Sequence, residues 1–240
     1  MGTEIAARRP EPAEPPQLPL YAESAPTRLV LVRHGQSTWN REHRIQGQLD
    51  PPLSAEGLRQ AELLGLRLAA RRFAGFYASD LARAFQTAEA IGAAIGQEPV
   101  RRASLREIFL GEWEGLTTAE IAERYPREWA AWVQEPDWDL VPGGEGAATF
   151  DARVARALDE IVEIVEQHRH GGDVLVVTHG GVIQVALHRI IGRASRGLFP
   201  FKIQNASISW IEKRTGRTII GGVNDIAHLE PALVTEVGPG

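Results

Sequence analysis

The sequence predicts an α/β fold: a three-layer α/β/α sandwich whose mostly parallel sheet has one antiparallel edge strand, with a small helical insertion over the site. Three observations predict it. Leu29–Val32 and Val174–Val177 are apolar throughout, as strands buried on both faces are. Segments with apolar residues at helical spacing alternate with such strands, which is the pattern of a parallel sheet covered by helices. Both apolar runs lead into histidine and glycine, His34-Gly35 and His179-Gly180, so the same arrangement of strand, histidine, glycine and helix occurs twice.

Composition narrows the function classes. A chain of 240 residues that is 43% hydrophobic can bury a full α/β core. The net charge of -5 argues against a nucleic-acid protein, so an anionic ligand would be held by local cations. With no cysteine, disulfides and thiolate metal sites are excluded. Arg8-Arg9 is followed by prolines and glutamates where a secretory signal needs an apolar core. Val174–Ile191 is interrupted by His179, Gln184 and His188, groups that a membrane span would not carry at its centre. These features predict a cytoplasmic protein with no membrane partner.

In chain order, residues 1–26 are rich in proline and glutamate and read as a disordered or polyproline leader, of which Leu18–Tyr21 could pack on the domain. One domain is expected over 27–230, and a flexible tail over 231–240. After the first strand, Arg41–Pro52 reads as a polar loop. Ser54 is the N-cap of a helix whose stripe is Leu58, Ala61, Leu64 and Leu68, closing near Arg71-Arg72. Phe76–Ser79 is a short strand. Ser79 or Asp80 caps the next helix, Leu81 to about Ile95, with Arg83 on its first turn, and Gly96 ends it. Val100–Arg102 is a weak edge strand.

The insertion, about 105–146, holds Trp113, Trp129, Trp132 and Trp138 and one helix carrying Ile121, Tyr125, Trp129 and Trp132. Its tryptophans read first as a small core of their own and second as walls of a pocket mouth. A long amphipathic helix follows over about 149–168, then the strand Asp173–Thr178 and the helix Val182–Ile191. Ala206–Glu212 and Arg217–Val223 read as a hairpin around Thr215-Gly216.

In this architecture the carboxyl ends of the strands converge, and they deliver Arg33-His34, Arg83 and His179 to one edge. Two arginines and two histidines with no acid in the same motifs suit a dianion such as phosphate. Guanidinium forks would bind it, helped by backbone N–H groups that the glycines leave accessible. His43, His168, His170 and His188 read as solvated or core histidines, and Glu112 and Glu114 as structural or rim residues.

Leu31–Asn40 (Leu-Val-Arg-His-Gly-Gln-Ser-Thr-Trp-Asn), Gln46-Gly47, Pro52-Leu53-Ser54, Ser79–Ala88, Leu105–Ile108, Gly111–Gly115, Pro142–Glu145 and Thr178–Gly181 together resemble the histidine phosphatase superfamily. That group contains cofactor-dependent phosphoglycerate mutases and broad-specificity acid phosphatases, and the likeness spans roughly residues 28–228. The resemblance implies that His34 is the nucleophile that becomes phosphohistidine. Arg33, Arg83 and His179 would bind and stabilise the phosphoryl group, with Asn40, Gln46 and the backbone of Gly180 as further contacts. Glu107 matches the general acid and base. No cofactor and no metal is implied, because the site's own cations would do the work of an ion.

The expected activity is hydrolysis of a small-molecule phosphomonoester. The alternatives are a cofactor-dependent phosphoglycerate mutase and, more remotely, a phosphate-binding module without catalysis. The mutases carry His-Gly-Asn at the second histidine and extra arginines in a longer insertion; here the sequence is His179-Gly180-Gly181, with Arg124 and Arg127 unpaired. Gly146 stands where the family often has serine. Oligomeric state is open, a homodimer included.

Overall fold

A computed structural model describes residues 26–169, 172–193, 196–197, 200–214 and 216–230, without the side chains of 168 and 169. The expected leader and tail, His170 and the hairpin residue Thr215 lie outside the described residues.

Six strands form one sheet in the order β3-β2-β4-β1-β5-β6. They are β1 (Thr27–Arg33), β2 (Gly75–Ser79), β3 (Val100–Arg102), β4 (Gly172–Thr178), β5 (Ile208–Arg214) and β6 (Arg217–Asp225). β1, β2, β3 and β4 are parallel. The antiparallel strand is β5, which is not at the edge: it pairs with β1 on one side and β6 on the other. The hairpin puts β6 outside it, so the edge strand runs the same way as β1.

The apolar runs divide their side chains between two cores. Leu29, Leu31, Val174 and Val176 face one cluster; Val30, Val32, Leu175 and Val177 face the other. On the second side lie α2 (Ala55–Leu68) and α3 (Ala82–Ile95), and on the first α6 (Ala147–Arg169) and α7 (Gly180–Ile191). Period-2 alternation with both faces apolar is what a central strand needs.

Several local expectations change. Leu58 is exposed, and α2 buries Ala61, Leu64 and Leu68 together with Gly57 and Gly65. The insertion's single helix is two, α4 (Thr118–Arg124) and α5 (Pro126–Gln134), because Pro126 cannot continue a helix and restricts Tyr125 before it. Neither Ser79 nor Asp80 caps α3. Asp80 is bound by both arms of Arg106 at 2.7 and 2.6 Å, and Asp50 accepts from the Ala82 N–H across the loop at 2.6 Å. Trp113 packs edge-on to Trp129 and Trp132, and Trp132 on Trp138, so the tryptophans form the insertion's core and not an open wall.

α2 must come very close to the loop after β1. A Cβ on Gly35 would stand 2.5 Å from the Gly57 carbonyl oxygen, and one on Gly57 would collide with the carbonyl of Gln36. Gly57→Ala is therefore expected to cost about 1–3 kcal/mol by overpacking, seen as a lower denaturant midpoint at unchanged slope.

Candidate active site

The register of the two central parallel strands builds the site. Arg33 pairs with Thr178, so His34 and His179, one step on, leave neighbouring strand ends side by side, with ring centroids 5.2 Å apart. The His34 N–H donates to the Thr178 carbonyl at 2.9 Å. Both histidines are buried.

His34 is oriented by its own loop. Nδ1 lies 2.7 Å from the Gly35 carbonyl oxygen, which can only accept, so Nδ1 carries the proton and Nε2 keeps its lone pair. Gly35 is tied in turn to α3, its N–H donating to Thr87 Oγ1 at 3.0 Å. His179 Nε2 lies 2.8 Å from the hydroxyl of Ser79, at the carboxyl end of β2.

Arg83 is 1% exposed, a guanidinium buried almost completely at the head of α3. Its two terminal nitrogens donate to the carbonyls of Leu49 and Gly47 at 2.8 and 2.7 Å. Arg33, half-buried, donates from Nη1 to the Ile203 carbonyl at 2.6 Å. Nε of Arg33, Nε of Arg83 and Nδ1 of His179 are buried without a hydrogen-bond partner among the described residues. Unpaired buried polar groups cost free energy, and the three residues that carry these are ones that neighbour His34 or act on it electrostatically.

Glu107 is anchored by two backbone N–H groups. Its Oε2 accepts from the Gly181 N–H and its Oε1 from the Ile108 N–H, both at 3.0 Å. A Cβ on Gly181 would collide with this carboxylate, so the second glycine after His179 is what lets Glu107 sit at the head of α7. Gly180 opens the same helix, and its Cα lies along Arg33: a Cβ there would be 3.6 Å from Arg33 Nε.

Asn40 is in the short helix α1 (Thr38–Arg41) and Gln46 in the following loop; both are tied to Ser37. Asn40 Oδ1 accepts from the Ser37 N–H at 3.1 Å, and Gln46 Oε1 accepts from the Ser37 hydroxyl at 2.7 Å. The structure thus gathers Arg33, His34, Arg83, Glu107, His179 and Gly180 directly, and Asn40 and Gln46 through Ser37. The Ser37 hydroxyl and Thr87, legible in the sequence as polar groups near Arg33-His34 and Arg83, take the role of holding these groups in place, and Asn205, which holds Asn40, has no signal in the sequence.

The other residues weighed from sequence are structural. Glu114 accepts from the N–H groups of Gln48, Leu49 and Leu110, and Glu112 from the Tyr125 hydroxyl. His43 is exposed and His188 buried. Glu145 binds Arg153 and accepts from the Phe109 N–H. Gly146 has φ +74°, and a Cβ would stand 2.7 Å from Asp139 Oδ1, so this turn is built for glycine. A groove of about 390 Å³ over Leu29, Val162, Ala186 and Ile211 lies away from the strand ends that carry these groups. Among the described residues, no three His, Asp or Glu side chains gather as a metal cluster, and no helix is long and apolar enough to cross a membrane.

Burial, then Arg83, then Arg33 hold the His34 imidazole well below its ordinary value near 6.5, opposed by its bond to Gly35. Burial and Arg83 do the same to His179. Burial also lowers Arg83, to about 10, with Glu107 and Asp50 opposing, so it stays a cation at neutral pH. Both histidines are therefore expected to remain neutral through pH 6.5 in an imidazole NMR titration. Because their folded values are depressed, the stability this contributes is complete above about 6.5 and is lost as pH falls, where only the unfolded chain takes up the protons. Thermal unfolding should show a midpoint that drops on acidification below that value.

The sequence matches the model of the histidine phosphatase superfamily (branch 1) over residues 29–226. The chain belongs to that superfamily. It is 37% identical to the metal-independent phosphoserine phosphatase of Arabidopsis thaliana over 86% of this chain and 85% of that one. It is 34% identical to phosphoserine phosphatase 1 of Hydrogenobacter thermophilus, over 84% and 94%. Among solved structures, a mycobacterial glucosyl-3-phosphoglycerate phosphatase superposes with a TM-score of 0.72 at 31% identity, over 82% of this chain and 99% of that one. The protein is thus an enzyme of the histidine phosphatase fold, and the cluster at the β1 and β4 ends is where this superfamily member gathers its buried cationic and imidazole groups.

Proposed function

We propose that this protein is a metal-independent phosphomonoester hydrolase that works through a phosphohistidine on His34, with Glu107 as general acid and base. The observation that carries the reading is the state of His34: Nδ1 is committed to the Gly35 carbonyl, burial keeps the ring neutral, and Nε2 is left as the nucleophile.

In the first step His34 Nε2 attacks phosphorus and the bond to the ester oxygen breaks. The Glu107 carboxyl gives its proton to that leaving oxygen. In the second step the Glu107 carboxylate takes a proton from water, whose oxygen attacks phosphorus while the N–P bond breaks, releasing phosphate and restoring His34. The Nε groups of Arg33 and Arg83 and the Nδ1–H of His179 are the donors for the phosphoryl oxygens, already in place when charge develops. Asn40, Gln46 and the Gly180 N–H complete the cradle.

The substrate is a small phosphomonoester, and phosphoserine is the first to test, since two similar proteins carry that activity in their names. A chain without cysteine suits a reducing, cytoplasmic setting. Phosphate release from phosphoserine, 3-phosphoglycerate and sugar phosphates is expected to persist in chelator. Conversion of 3- to 2-phosphoglycerate without release would place the protein with the mutases instead. Neither activity at any pH would leave it a phosphate-binding module.

A further inference from the structure

Residues 203–207 bond to the backbone and side chain of Arg33 and to the backbone of His34. Ile203 gives its carbonyl to Arg33, the Ala206 N–H donates to the His34 carbonyl at 3.0 Å, and the Ser207 carbonyl accepts from the Arg33 N–H at 3.1 Å. Ala206 is fully buried in the left-handed region at φ +57°, a conformation that costs free energy for a residue with a side chain. What this turn presents to the site is Asn205.

Asn205 Nδ2 lies 3.1 Å from Asn40 Oδ1, 3.2 Å from the His34 carbonyl and 3.3 Å from the Gly35 carbonyl. All three are acceptors, so Nδ2 spends one hydrogen on Asn40 and shares the other between the two backbone oxygens. Asn40 Oδ1 then accepts from Asn205 and from the Ser37 N–H, with the Ser37 hydroxyl, shared with Gln46, also 3.1 Å away. The Asn40 amide cannot flip without setting its own NH2 against these donors, so the NH2 of Asn40 is held on the far side of the amide, without a hydrogen-bond partner among the described residues. The Gly35 oxygen touched by Asn205 is the one that fixes the His34 tautomer.

We propose that Asn205 is a positioning residue for phosphoryl transfer: it locks the Asn40 amide with its NH2 toward the phosphoryl group and steadies the Gly35 carbonyl that orients His34. This rests on the phosphohistidine reading above, and Asn205 itself touches neither substrate nor the reacting atoms.

The test is a double-mutant cycle on the full chain with Asn40→Ala, Asn205→Ala and the pair, read by kcat/KM for the best substrate of the panel and by the affinity for inorganic phosphate. Each single change is expected to lower kcat/KM about 10- to 100-fold. The pair should be no more than about threefold worse than Asn40→Ala alone, because Asn205 acts partly through Asn40. Losses that multiply in full would overturn the proposal, as would an unimpaired Asn205→Ala. Asn205→Asp keeps the shape and removes the donor: it should be at least as impaired as alanine, and wild-type kinetics would show that Asn205 only fills space. If Asn205→Ala does not fold, Asn205→Asp takes its place in the cycle. Wild-type protein that neither labels on His34 nor releases phosphate would defeat the phosphohistidine reading, and the phosphate affinities would still decide the coupling of Asn205 to Asn40.

Discussion

His34→Ala should lose at least about 10⁴-fold in kcat, and a radiolabelled phosphomonoester should leave no acid-labile, base-stable label on the protein. The reason for so large an effect is that no other group can take the role. His179, 5.2 Å away, has Nε2 against Ser79 and lies off the Gly35 loop that orients the nucleophile. Substrate binding should survive in the variant, since the guanidinium donors do not depend on the His34 ring: Arg83 is anchored on Gly47 and Leu49, and Arg33 on Ile203. A variant that still turned over within tenfold of wild type would remove His34 from the chemistry.

Arg83→Met has the next largest expected effect, a fall of about 10²- to 10³-fold in kcat. Arg83 is the buried cation that acts on both His34 and His179. Removing it takes away a donor to the transferring group. It also lifts one of the influences that hold His34 below its ordinary value, so the His34 titration should move upward, though burial keeps it depressed. An unchanged His34 titration in Arg83→Met would contradict the closeness of the two groups. Arg83→Lys should not restore activity, because one ammonium cannot serve two carbonyls and a phosphoryl oxygen in the fork geometry of a guanidinium.

Sequence alone determined the strands and their burial. Leu29–Val32 and Val174–Val177 are apolar at every position, and only a strand covered on both faces has use for that pattern. It also brought the cations and imidazoles to one edge, because parallel strands joined by helices place their carboxyl ends together. Ser54 as N-cap and Gly96 as helix stop were legible for the same reason: each satisfies or ends a backbone pattern within a few residues of itself.

Tertiary structure decided what depends on partners far away in the chain. Ser79 and Asp80 have the chemistry of caps, and nothing local says that His179 and Arg106 claim them while Asp50 serves α3. Leu58 fits the helical stripe by spacing, yet the loop after His34 crowds the first turn of α2 and leaves it exposed. β5 became an inner strand because β6 folds back beside it. Asn205, 165 residues from Asn40, carries no motif a reader could recognise. Its place under His34 comes from the turn at Ala206, and hydrogen bonds between distant segments leave no periodicity in either one. The chemistry of this site was written locally, in short strings of residues, whereas its geometry is set by contacts that exist only once the chain has closed on itself.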